Sequence, residues 1–311
     1  MIKIECKVSD VDTHFQAIKK LFINDILLKK ENNKILWKTT YIDIEKIIKH
    51  KFSKFDANIT FEKLIKADYK YMQKLIHYIN THKNLCELSQ NEKRYFLELY
   101  TRLKKPTFIK RLNVQVCPYC NRNYIFNFSK NNNQEATGQL DHFFDKTKYS
   151  YLAVSFYNLV PSCSTCNQRK STKQKNIFYP YSESFHESAK FRYDGIEALK
   201  IDEKLPFFDS KRVILNIEAI RNKDKVKKHI KVFNIDNIYE NHKDIVSELL
   251  QKREIYPDSY IDELAYNYSD LFKNREDLLR LITCGYIEDK DLDKRPLSKL
   301  IKDISEELNL I

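Results

Sequence analysis

Glycine is almost missing, with 3 residues in 311, where an average chain carries roughly 7%. A Gly-rich phosphate loop and a dinucleotide-binding fingerprint each need several glycines in one turn, so both are excluded. Long apolar runs are missing too: no window approaches the ~18 residues that a membrane helix needs. The first residues, Met1-Ile2-Lys3-Ile4-Glu5-Cys6-Lys7, carry a glutamate and two lysines where a secretory signal would be apolar. The seven cysteines are therefore expected as thiols in a reducing, cytoplasmic setting rather than as disulfides. Internal repeats and low-complexity segments are also lacking.

What the chain does have is a hydrophobic fraction of 42%, 13% aromatics and a net charge of +12. That composition excludes wholesale disorder and is enough for a real core. The charge is unevenly spread: +10 over residues 1–110, +6 over 111–180 and −4 over 181–311. A basic excess suits a polyanionic partner, although lysine-rich composition is also what an AT-rich genome produces. The texture changes at the same places. Residues 1–110 read as a basic helical region, with apolar residues at three and four spacing in Phe15-Ile18-Leu21-Phe22-Ile26 and Leu64-Tyr71-Leu75-Tyr78-Ile79. Ser89-Gln90-Asn91-Glu92 is a capping box opening a helix that ends before Pro106. Residues 111–180 hold shorter segments, with turns expected at Ser129–Asn133 and Pro161-Ser162, and read as a separate unit. Residues 181–311 begin with two short strands, at Phe191–Gly195 and Arg212–Asn216, and return to helical periodicity from Lys223. The fold expected is α+β, mainly helical, around a small central module.

Cys117-Pro118-Tyr119-Cys120 and Cys163-Ser164-Thr165-Cys166 are two CxxC knuckles. Each can turn two thiolates toward one ion, and together they complete the tetrahedral sulfur shell of structural Zn²⁺, with no position left open for chemistry. Redox use of either knuckle would call for a thioredoxin-like strand and helix context that the sequence lacks. Cys6, Cys86 and Cys284 have no CxxC partner and read as buried free thiols.

Between the knuckles lies Gln139-Leu140-Asp141-His142-Phe143. Asn158 follows His142 by 16 residues, and Asn167 follows Asn158 by 9, in Cys166-Asn167-Gln168-Arg169-Lys170. An Asp-His dipeptide alone carries no information, but this arrangement around two CxxC pairs resembles the HNH endonuclease family, the ββα-metal fold. The resemblance covers roughly residues 111–180. It implies that His142 is the general base acting on water, and that Asp141 and Asn167 hold a catalytic divalent ion, Mg²⁺ above all. Asn158 would fix the loop and orient His142. A free imidazole has a pKa near ~6.5 and accepts a proton without special tuning, and a carboxylate, an amide oxygen and waters suit Mg²⁺.

Asp141 and His142 are adjacent on an expected strand and would point to opposite faces if it were regular, so a local bend is expected if both are to reach one phosphate. Asn167 is placed at a helix start, and Lys170 on the same helical face. Arg169, Lys170 and Lys173, with Lys175 nearby, are candidate nucleic-acid contacts. The longer string through Cys117–Tyr124, Leu140–Phe143, Tyr149–Ala153 and Phe156–Pro161 is most similar to the nuclease subunits of Septu-type and retron-associated anti-phage systems. Their partner is an ATPase of the ABC and recombination-repair class. Asp145 departs from that pattern, which has Pro before the lysine matching Lys146. A metal-dependent endonuclease acting on DNA, or on RNA, is the expectation. A zinc-stabilised module that binds nucleic acid or a partner without catalysis is the alternative.

Overall fold

The computed structural model describes residues 1–31, 34–131, 133–171, 176–196 and 209–311. About half of the chain is helical, and the strands among the described residues form four separate two-stranded antiparallel sheets. These are β1 (Ile26–Glu31) with β2 (Lys34–Thr40), β3 (Asn127–Lys130) with β4 (Asn133–Ala136), β5 (Gln139–His142) with β6 (Leu159–Ser162), and β7 (Ala189–Ile196) with β8 (Val213–Ala219). No helix among the described residues is long and apolar enough to cross a membrane.

The N-terminal helices form where local signals agree. Val8–Lys19 buries Val11, His14, Phe15 and Ile18, one stripe at helical spacing. Tyr41–Phe52 and Gln90–Arg102 start at capping boxes, Thr40 with Asp43 and Ser89 with Glu92, each cap worth about 1 kcal/mol. Pro106 does not stop the chain's helicity. It sits in the first turn of a further helix, Lys105–Leu112, where its missing N–H has no helical partner to lose. The β1–β2 hairpin was not foreseen, and Ile26, read as the last residue of a helical stripe, begins β1. Pro161 and Ser162, expected in a turn, lie in β6 with Pro161 opposite Leu140. A two-stranded sheet is all edge, so a proline without a donor is tolerated there. Gly138, one of the three glycines, precedes β5 where a Cβ would come within 1.9 Å of the Ile125 side chain.

The apolar core is continuous from Met1 to Leu310 and does not divide near 110 or 180. The segment around the first knuckle is gripped from both ends of the chain. Ile2 N donates to Pro118 O at 3.1 Å, His229 Nε2 donates to Tyr119 O at 2.9 Å and Tyr239 Oη donates to Cys120 O at 2.7 Å. Asn121, fully buried with φ of 49°, takes Lys299 N on its Oδ1 and donates its Nδ2 to Leu292 O. The segment 118–121 is thus packed between the two ends of the chain.

Candidate metal centre and histidine site

Four thiols meet at the centre. The Sγ atoms of Cys117, Cys120, Cys163 and Cys166 all lie within 4.8 Å of one another and are buried, with Cys120 and Cys163 at 3.9 Å. Sulfurs at tetrahedral corners around Zn²⁺ would be separated by about 3.8 Å. Hydrogen bonds from its three neighbours hold the Cys163 thiol far below the usual range, while burial pushes Cys117 far above it. A divalent cation removes that conflict by deprotonating all four. The cluster is therefore compatible with zinc. Of the other cysteines, Cys86 is buried, Cys6 is half-buried and Cys284 is exposed, so burial of Cys284, as expected, is not found.

Between the knuckles the chain makes two antiparallel strands, β5 and β6, and a helix, Ser164–Lys170, follows out of the second knuckle. The helix is capped by Cys163, whose Sγ accepts from Cys166 N, and packs on β5. The β5–β6 ladder is regular through Asp141 opposite Val160 and His142 opposite Leu159. The bend expected at Asp141-His142 is absent, and alternation sends the two side chains to opposite faces.

On one face Asp141 is closed in, 3% exposed. Its Oδ2 accepts from Tyr119 Oη at 2.7 Å. Lys170 Nζ lies 3.2 Å from its Oδ1, 3.1 Å from its Oδ2 and 2.7 Å from His142 O. Burial raises the Asp141 carboxyl above its ordinary value, against the pull of Lys170 and Tyr119. Lys170 is itself 3% exposed, so the expectation of a surface lysine on a phosphate is corrected: it is the internal counter-ion of Asp141. Asn167 is not at a helix start either. It lies inside a seven-residue helix with its N–H bonded to Cys163 O, and its Nδ2 donates to Gln139 Oε1 at 2.6 Å. Both Asp141 oxygens are engaged, so Asp141 and Asn167 do not form an open oxygen shell, and as arranged they do not fit a divalent ion.

On the other face His142 Nε2 bonds Ala153 O at 2.9 Å. A carbonyl can only accept, so Nε2 carries the proton and the lone pair sits on Nδ1, which makes no hydrogen bond among the described residues. The ring meets Tyr100 edge-on, centroids 4.4 Å apart. Burial lowers the imidazole pKa to about 3; the Ala153 bond opposes this, and Lys146, Lys170 and Lys105 add to it.

Ala153 is held in place by its neighbours. Asn158, fully buried, donates Nδ2 to Leu152 O and Phe144 O and accepts from Phe144 N at 2.7 Å. His14 Nε2 donates to Val154 O at 2.8 Å, and Ser155 Oγ donates to Leu64 O at 2.7 Å. Asn158 thus clamps the loop whose carbonyl orients His142.

The structure brings His142 and Asn158 into one region and puts Asp141 and Asn167 elsewhere. Arg169 is exposed on the short helix, and Lys173, with Lys175, lies outside the described residues. Sequence reasoning missed Tyr100 and Lys105, which carry no motif, and Tyr119 inside the first knuckle; Lys146 was noted only as matching a lysine of the family pattern. Comparison with protein-family models, curated proteins and solved structures returns no match, so the chemistry of the site has to be argued from the site.

Proposed function

We propose that the chain is an HNH-type endonuclease that hydrolyses phosphodiester bonds, DNA first, with His142 as general base. In this reading Cys117, Cys120, Cys163 and Cys166 hold one structural Zn²⁺. The observation that carries it is the imidazole, with Nε2–H fixed on Ala153 O at 2.9 Å and Nδ1 free, on a strand–strand–helix unit beside four thiols. Nδ1 takes a proton from water as the water oxygen bonds to phosphorus, and the departing sugar oxygen takes its proton from solvent. A base held near a pKa of about 3 is weak. A phosphodiester among the lysines adds the negative charge that lifts it, so the base strengthens once substrate is bound. No step is assigned to Mg²⁺, because Asp141 is engaged by Lys170 and Tyr119. An effector role in anti-phage defence, with an ATPase partner, extends this reading and rests on the resemblance alone.

A second reading, a zinc-stabilised binding module without catalysis, is favoured by that same closed Asp141. One experiment separates the two. His142→Ala is expected to lower plasmid cleavage by roughly 10²–10⁴-fold with zinc content and far-UV circular dichroism unchanged. Equal cleavage by both proteins removes His142 as the base, and absence of cleavage by the unaltered protein leaves the binding module.

A further inference from the structure

Lys105, at the start of the helix Lys105–Leu112, and Lys146, in the loop after β5, come from different parts of the chain and meet on one ring. Their ammonium nitrogens stand 4.6 and 4.1 Å from the centroid of Tyr100. Both side chains are half-buried, and neither makes an ion pair or a side-chain hydrogen bond among the described residues. Asp145, the acid next to Lys146, is turned to Thr147, whose N and Oγ1 bond its Oδ1 at 2.8 and 2.9 Å. Tyr100 offers no charge: its hydroxyl donates to Leu140 O at 3.2 Å, and burial raises its pKa to about 12. Burial, and then the charge of Lys105, lower the Lys146 ammonium below its ordinary value, against the weaker pull of Asp145.

Two like charges drawn together and partly removed from water are unfavourable, and the quadrupole of one ring offsets only part of that. Other cations nearby that are taken out of water show the contrast. Lys170 has Asp141, and Arg102 has Glu98 at 2.9 Å. Among the described residues no anion is bonded to either ammonium of the Tyr100 cluster, and one that completed it would lie against the ring on which His142 packs. A phosphodiester has two non-bridging oxygens for two ammonium groups, which a single buried carboxylate from the protein does not replace here.

We propose that Lys105 and Lys146 form a two-point clamp for the phosphodiester backbone beside His142, so that the basic N-terminal region supplies part of the substrate site. The clamp deepens the nuclease reading and rests on it for its catalytic meaning, while its binding is tested separately.

The test uses the full chain with His142→Ala, which binds without cutting, and two probes: a short labelled DNA duplex and inorganic phosphate. Adding Lys105→Gln and Lys146→Gln is expected to weaken duplex binding roughly tenfold and to flatten the slope of log K against log salt by about 2. Lys105→Arg with Lys146→Arg keeps both. Zinc content and the thermal midpoint report on the fold. Should the double variant lose it, each single glutamine is read for a slope change of about 1. An unchanged slope in the glutamine variants overturns the clamp. Lysine-dependent binding of inorganic phosphate with none of the duplex overturns its assignment to a backbone. Cleavage that survives His142→Ala sinks the hydrolytic role and leaves the clamp standing on its binding data.

Discussion

The two faces of β5 treat charge in opposite ways. On the Asp141 face the charges are closed into each other: Lys170 donates to Asp141 Oδ1 and to His142 O, and Tyr119 donates to Asp141 Oδ2. On the His142 face two ammonium groups stand on one ring with no acid bonded to them among the described residues, and an imidazole nitrogen is left there with its lone pair. Pairing of the first kind holds a structure together. An unpaired arrangement of the second kind leaves a ligand something to complete.

The largest expected effect concerns what supports each face. Tyr119 lies between the first two zinc-type ligands, so the Asp141 face hangs on the thiol cluster, whereas Tyr100, Lys105 and His14 belong to the N-terminal helices. If the thiol cluster holds the proposed zinc, stripping it removes on the order of 10–16 kcal/mol of binding free energy, comparable to a whole domain's stability. Hydrogen exchange is expected to rise first at 117–121 and 163–170 and then, through Asn121 and its bonds to Leu292 and Lys299, at 292–299. The helix Gln90–Arg102 should follow last. If it exchanges as fast as the knuckles, the two faces share one support and the contrast fails.

Next in size is the charge pair itself. Lys170→Met leaves a buried carboxylate with Tyr119 alone, a loss of about 3–5 kcal/mol readable as a lowered urea midpoint. Asp141→Asn with Lys170→Met is expected to recover most of it, because no charge then remains buried. Lys105→Gln or Lys146→Gln, on the other face, should move stability by only about 0.5 kcal/mol. Equal losses on both faces would mean that the clamp lysines are structural.

How much of this was legible in the sequence follows from how far apart the partners are in the chain. The thiol quartet was readable because CxxC spacing is local and four ligands of one kind leave few arrangements. The Ser89–Glu92 box and the strands at β7 and β8 were readable for the same reason. The two-residue period of a strand already said that Asp141 and His142 diverge, and the expectation of a bend came from the resemblance; the regular β5–β6 ladder followed the simpler rule. Lys170 looked like one more cation in a basic run, since nothing local reveals that its ammonium turns inward to a carboxylate 29 positions earlier. Tyr100 and Lys105 had no signal at all, because their meeting with His142 is made by the packing of helices on β5.

An effect smaller than that of Lys170→Met lies in the dependence on pH, and it tests whether the His142 loop is held by a neutral histidine. His14 is fully buried against Phe108 and Phe156 and donates to Val154 O, one residue beyond the carbonyl that His142 uses. Burial lowers its pKa to about 4, with the Val154 bond opposing and Arg111 assisting. The unfolded chain, with an ordinary histidine near ~6.5, therefore binds the proton that the folded chain refuses. Stability contributed by neutral His14 is complete above about pH 6.5 and is lost as pH falls toward 4, at a slope of at most about 1.4 kcal/mol per pH unit. His14→Gln presents a neutral amide in place of the imidazole and cannot titrate. The difference between its urea midpoints at pH 7 and pH 5 should be smaller than that of the unaltered protein by up to that amount per unit. An identical pH dependence would mean that His14 protonates equally in both states, and that the loop carrying Ala153 is held by Asn158 and Ser155 without it.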